Sequence, residues 1–179
     1  MQFESYPFEK LNALLANITP KDSREIIKLT IGEPQFETPN FIQNALKDSA
    51  HLLCKYPASS GESYLKEAQI DFIKRRFDIA LDFAQIIPTF GTREVLFNFP
   101  SFVFGAIFPQ NRVMAFPNPF YQIYEGAAVA ANAEIIYMDL DSDFKPQIAK
   151  SDLKRAKLVI LNSPNNPTGA ILSQDELEM

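Results

Sequence analysis

The chain has 179 residues, 46% hydrophobic and 22% charged; this is the make-up of a globular protein with a real core, and it excludes a disordered tail, a fibrous repeat and a coiled coil. Lysine and arginine number 17 against 22 aspartates and glutamates, a net charge of −5 with no basic block, so nucleic acid is a poor partner. One cysteine, Cys54, and one histidine, His51, exclude a disulfide framework, a CxxC zinc site and a His-rich metal centre.

The start, Met1-Gln2-Phe3-Glu4, lacks the basic start and apolar core of a secretory signal, and no apolar run approaches the roughly 18 residues of a membrane span. A cytoplasmic protein is expected. A helix is expected over 7–17, with Phe8, Leu11, Leu14 and Leu15 on one face. A short β-branched run, 26–31, stops at Gly32. Residues 39–53 read as a helix with Phe41, Ile42, Ala45 and Leu46 inward, and 62–79 as a longer amphipathic helix. His51 and Cys54 read as packing residues at the end of the first of these. A strand over 85–90 leads to Gly91-Thr92-Arg93-Glu94, which opens a helix. A strand over 112–116 leads through a proline-rich turn to a helix from Tyr121. Strands over 134–140 and 157–162 follow, the second ending in Ser163-Pro164-Asn165-Asn166-Pro167-Thr168-Gly169. Ser173 with Glu176 forms a capping box, so a helix starts there. Strands alternating with helices predict an α/β protein with a mostly parallel sheet and helices on both faces, whose ligands sit beyond the carboxyl ends of the strands.

Three loops leave strand ends, and each has a functional and a plain reading. Gly91 to Glu94 offers free N–H groups and a helix dipole to a phosphate; plainly, it is a strand-to-helix turn with Thr92 as N-cap. Tyr121 offers an aromatic plate to a planar ring; plainly, it packs in the core. Asn166, before Pro167, is held out of the α region, and a cis bond there presents its amide as a donor; plainly, it lies in a polar turn. Earlier in the chain, Gly32 suits either a carboxylate contact or a simple turn, and Tyr56, among small residues, either a ligand contact or the surface.

Taken together and in this order, Ile31-Gly32-Glu33-Pro34, the loop from Tyr56 to Gly61, Gly91-Thr92-Arg93-Glu94, the stretch from Pro117 to Tyr124 and Asn165-Asn166-Pro167-Thr168-Gly169 resemble the fold-type I, class I aminotransferases, enzymes of pyridoxal 5'-phosphate. The resemblance covers essentially the whole chain. Tyr6-Pro7-Phe8-Glu9-Lys10-Leu11 and the stretch from Phe116 to Ala127 are most similar to the N-succinyldiaminopimelate aminotransferases of the lysine and diaminopimelate route.

The resemblance implies a role for each loop. Thr92 and Arg93 match the cradle of the cofactor phosphate. Tyr121 matches the aromatic on the pyridine ring, Asn166 the donor to the phenolic oxygen, and Gly32 the backbone that meets the substrate carboxylate. Tyr56 matches the tyrosine that reaches the phosphate of the neighbouring subunit, which implies a homodimer. It also implies a three-layer large domain, incomplete here, over 36–179, with an N-terminal arm and part of a smaller domain over 1–35. Three parts of the family's machinery lie downstream of the Asn-Pro-Thr-Gly turn: the Schiff-base lysine, the acid that pairs the pyridinium and the arginine that grips the α-carboxylate. The chain reaches Met179 one turn into a capped helix, so it is expected to be the N-terminal portion of a longer transaminase and inactive alone. Its reaction would pass an amino group between glutamate and a keto acid. An aspartate-type or broad-specificity enzyme is the alternative within the class, and a non-catalytic remnant that binds the cofactor the alternative outside it.

Overall fold

A computed structural model describes residues 5–21, 25–27, 29–147 and 153–178. They fall into two compact units, Met1–Asn17 with Thr89–Met179, and Ile18–Pro88.

The first unit is built on a three-stranded sheet. β1 (Val113–Asn118) has five consecutive buried residues, the pattern of a strand covered on both faces rather than the alternation of a half-exposed one. It lies between β2 (Glu134–Asp139) and β3 (Leu158–Val159), in the order β2-β1-β3, and both pairings are parallel. Val113 is opposite Glu134, and Met114 is opposite Leu158. β3 is two residues long by pairing, yet the backbone bonds run past both ends: Lys157 N–H donates to Val113 O at 2.9 Å and Ile160 N–H to Ala115 O at 2.9 Å. The parallel α/β expectation holds.

Helices flank the sheet. α1 (Pro7–Leu15) starts on a proline, whose missing N–H is an orphan there anyway. α4 (Thr92–Phe102) holds Pro100 in its last turns and runs into a π-helical turn, Val103–Ile107. α5 (Ile123–Ala130) joins β1 to β2 and buries Tyr124, Ala127 and Ala128. Gly126 leaves room beside α4: a Cβ there would sit 3.9 Å from Phe97 Cε2. The core gathers Val103, Phe104, Met114, Phe116, Tyr124 and Ala128. Phe116, fully buried, is its hub, with ring centroids of Phe120, Tyr137 and Tyr124 at 4.9, 5.5 and 5.7 Å. Burying one such ring contributes about 1.5–3 kcal/mol.

The closing helix, α6 (Gln174–Leu177), carries the expected capping box. Ser173 Oγ accepts from Glu176 N–H, and the Glu176 carboxylate takes the Ser173 N–H in return at 2.7 Å. The same carboxylate accepts from Lys145 Nζ at 2.8 Å, tying the segment after β2 to this helix.

In the second unit α2 (Asn40–Ser49) continues as a 3₁₀ turn over Ala50–Cys54, and α3 (Ser63–Phe77) follows. Lys66 is buried; its Nζ donates to Phe83 O at 3.2 Å and stands 5.9 Å from the Phe83 ring centroid.

Four expectations are corrected here. Residues 85–90 form no strand: Asp82 caps a 3₁₀ turn, Phe83–Gln85, with both halves of a capping box, and Pro88 has no N–H for a ladder. The run 26–31 forms no strand in its described residues, and Ile27 and Leu29 are exposed; Lys28 lies outside the described residues. Phe41, Ile42, Ala45 and Leu46 do not face inward: no residue of α2 is buried, and Phe41 and Leu46 are each 73% exposed. The helical spacing is there, but no described element covers that face. His51 and Cys54 are not packing residues either: both are exposed and close the turn they sit in, His51 Nδ1–H donating to Asp48 O at 2.8 Å and Cys54 Sγ to His51 O at 3.2 Å.

Candidate cofactor site

Parallel strands deliver their following loops to one edge of a sheet. β1 runs into Asn118 to Tyr121, and its neighbour β3 leads to Ser163 to Gly169.

The start of α4 is uncapped and open. Gly91 is its N-cap, at φ 89° and ψ 166°, a region essentially confined to glycine. A Cβ at Gly91 would meet nothing within 4 Å, so the backbone there is open to a ligand. No side chain caps this helix, so its first-turn N–H groups keep their donor capacity. The Glu94 carboxylate accepts from Phe90 N–H at 2.8 Å, outside the helix. The plain reading of Thr92 as N-cap therefore fails; Thr92 is the first helical residue, exposed, and its hydroxyl has no partner among the described residues.

Arg93 brings a cation to this helix start. Its guanidinium carbon lies 5.9 Å from the Tyr6 ring centroid. Hydrogen bonding to Tyr6 and the nearby Tyr121 hold its pKa above the ordinary arginine value, so it keeps its charge throughout the accessible range. Tyr121 is half-buried and packs edge-on to Tyr124, with ring centroids 5.8 Å apart and planes at 82°. Burial, then the neighbouring Tyr121, pushes the Tyr124 hydroxyl above the usual phenol range. Tyr121 thus meets the core on one side, as its plain reading expects, and the rest stays accessible beside Arg93.

In the third loop the Asn166–Pro167 peptide is cis. Asn166 is exposed, and its side-chain amide has no partner among the described residues. Asn165, its neighbour, is buried at 6% exposure and bonds within the loop.

The structure therefore brings Arg93 and Tyr121 together and sets Asn166 on the loop after the adjoining strand. Gly32 and Tyr56 belong to the other unit. Tyr56 is fully exposed, and a Cβ on Gly32 would meet nothing within 4 Å. Tyr6 is the neighbour of Arg93 that the local pattern did not pair with it. It lies far from Arg93 in sequence, and no local signal links them.

A parallel sheet flanked by helices, with an uncapped helix start and an aromatic beside it, is the large-domain architecture of the fold-type I aminotransferases. Solved structures bear this out. AspB aminotransferase of Helicobacter pylori 26695 matches with a TM-score of 0.90 and 55% identity, covering 99% of this chain and 47% of that one. An aminotransferase of Neisseria meningitidis Z2491 matches with a TM-score of 0.87 and 38% identity, over 99% and 46%. The chain belongs to the class I and II aminotransferases, whose family model matches residues 24–179. An LL-diaminopimelate aminotransferase of Syntrophobacter fumaroxidans is 32% identical, over 97% of this chain and 45% of the relative. An aspartate aminotransferase of Bacillus sp. YM-2 is 32% identical over 86% and 40%. The chain thus spans about half the length of the curated relatives it matches.

The cofactor of this family is pyridoxal 5'-phosphate. The residues of these loops fit it: an uncapped helix start and Arg93 for the phosphate, Tyr121 for the ring, and the unpartnered Asn166 amide for an oxygen acceptor. Among the described residues no helix is long and apolar enough to cross a membrane.

Proposed function

We propose that the protein carrying this chain is a pyridoxal-phosphate transaminase that exchanges an amino group between glutamate and 2-oxoglutarate on one side and a diaminopimelate-type amino or keto acid on the other. The observation that carries the proposal is the open, uncapped start of α4 with Arg93 beside Tyr121 at the sheet's carboxyl edge. Bound there, the cofactor supplies an electron-withdrawing ring that lets an amino acid release its α-proton. The Thr92 hydroxyl, the first-turn N–H groups and Arg93 hold the phosphate. Tyr121 limits the tilt of the ring, and Asn166 donates to the phenolic oxygen. Gly32 meets the substrate carboxylate.

N-succinyldiaminopimelate is the proposed amino substrate, supported by the resemblance of 6–11 and 116–127 and by relatives named for LL-diaminopimelate, which share its carbon skeleton. An aspartate-type enzyme is the second reading, favoured by the relative of that name. On the first reading, 1–35 form the arm and part of a small domain and 36–179 the front of the large domain. The active form is a cytoplasmic homodimer in which Tyr56 reaches the partner's phosphate. The lysine that binds the cofactor covalently lies outside this chain, so residues 1–179 alone do not turn over.

The test is the full-length protein with pyridoxal phosphate, 2-oxoglutarate and, in parallel, N-succinyl-LL-diaminopimelate, LL-diaminopimelate and aspartate, with glutamate formation as the readout. Fastest turnover of the succinylated donor supports the first reading. Preference for aspartate supports the second, and no glutamate from any donor overturns both.

A further inference from the structure

We propose that Asn165 is a positioning residue that holds the Asn166 amide in place. The loop after β3 makes a tight reversal, and Asn165 closes it three times over. Its N–H donates to Ala170 O at 2.8 Å, its carbonyl accepts from Gly169 N–H at 2.6 Å, and its side-chain Nδ2 donates to Thr168 Oγ1 at 2.9 Å. All three bonds close across Asn166 and Pro167, from Asn165 to Thr168, Gly169 and Ala170. Ser163 Oγ accepts from Leu172 N–H at 3.0 Å and ties the loop once more outside that ring.

The two neighbouring asparagines have opposite environments. Asn165 is buried and bonded; Asn166 is exposed, with no side-chain partner among the described residues. A flexible exposed amide loses rotamer freedom on binding an acceptor. Fixing its backbone on both sides beforehand removes part of that cost, which is how a supporting residue sharpens a binding one. Asn165 also carries a buried Oδ1 with no hydrogen-bond partner. A side chain that merely filled space would be apolar there, because an unpartnered buried acceptor is costly. Its Nδ2 bond to Thr168 is what the amide provides.

The inference rests on the reading of Asn166 as donor to the cofactor's phenolic oxygen. An amide donor spreads negative charge on that oxygen, so the oxygen holds a neighbouring proton less tightly. Loosening the donor moves the pH midpoint of the bound cofactor's visible absorbance upward. The experiment is a pH titration of that absorbance in the full-length protein loaded with pyridoxal phosphate. Asn166→Ala is expected to raise the midpoint by about one unit, the scale of a lost hydrogen bond to a charged group. Asn165→Ala is expected to raise it by roughly half as much. Thr168→Val, which removes the acceptor at constant shape, should match Asn165→Ala, and Thr168→Ser should restore the wild-type value. These variants also cover an Asn165→Ala protein that fails to fold. A midpoint moved by Asn166→Ala but by neither Asn165→Ala nor Thr168→Val overturns the positioning role and leaves the Asn166 reading intact. A midpoint that Asn166→Ala does not move overturns the Asn166 reading, and the role of Asn165 with it.

Discussion

The guanidinium carbon of Arg93, in the first turn of α4, stands 5.9 Å from the centre of the Tyr6 ring, which directly precedes α1. The pair links the N-terminal segment to the proposed phosphate cradle. A cation over an aromatic face at an exposed site contributes about 0.5–1 kcal/mol. Tyr6→Ala should therefore weaken binding of pyridoxal phosphate to the full-length protein about two- to fivefold, by absorbance titration. Tyr6→Phe, which keeps the ring and loses the hydroxyl, should fall between Tyr6→Ala and wild type. Equal affinities in all three proteins would mean that Tyr6 does not order Arg93.

Gly91 sits at φ 89° with open space where a Cβ would go. A substitution there meets backbone strain rather than a clash. Gly91→Ala should cost about 1–3 kcal/mol in urea unfolding, and inorganic phosphate should protect it less than it protects the wild type. An unchanged midpoint would show that the loop relaxes without penalty.

Lys145 holds the Glu176 carboxylate well below the usual range, at about 2, aided by the Ser173 backbone and hydroxyl. A carboxyl depressed on folding stabilises the protein above its unfolded value near 4.5, and the gain fades as pH falls toward 2. Glu176→Gln keeps a side chain able to serve the capping box but removes the charge. Its melting temperature should lie below that of the wild type at pH 7, with the gap closing between about pH 4.5 and 2. A gap that persists at pH 2 would place the effect in the cap rather than the ion pair.

Phe116 is fully buried and touches the rings of Phe120, Tyr124 and Tyr137. Phe116→Ala should cost about 3–5 kcal/mol by chemical denaturation, since the cavity adds to the lost transfer energy. Phe116→Leu should cost less than half of that. If Phe116→Ala costs under 1 kcal/mol, the hub has been misplaced.

Local signals alone determined a good deal of this protein. Helical spacing and the proline at its start marked α1, the Ser173 and Glu176 pair marked α6 three residues apart, and Gly91 marked the start of α4. In each case the stabilising partners lie within one turn, so the chain carries the whole interaction in a short stretch. The apolar strand expected over 112–116 was legible as a short run bounded by turn residues, and it forms as β1 over Val113–Asn118. Only the tertiary structure decided the remainder. The runs at 26–31 and 85–90 have strand composition, but a strand exists through its pairing partner, which composition does not name. The α2 stripe has the spacing of a buried face, and burial depends on another element covering it. The pairing of Tyr6 with Arg93, and the split of Asn165 and Asn166 into a buried brace and an exposed amide, arise where distant segments meet. Adjacent identical side chains acquire different environments because the fold buries one and leaves the other exposed.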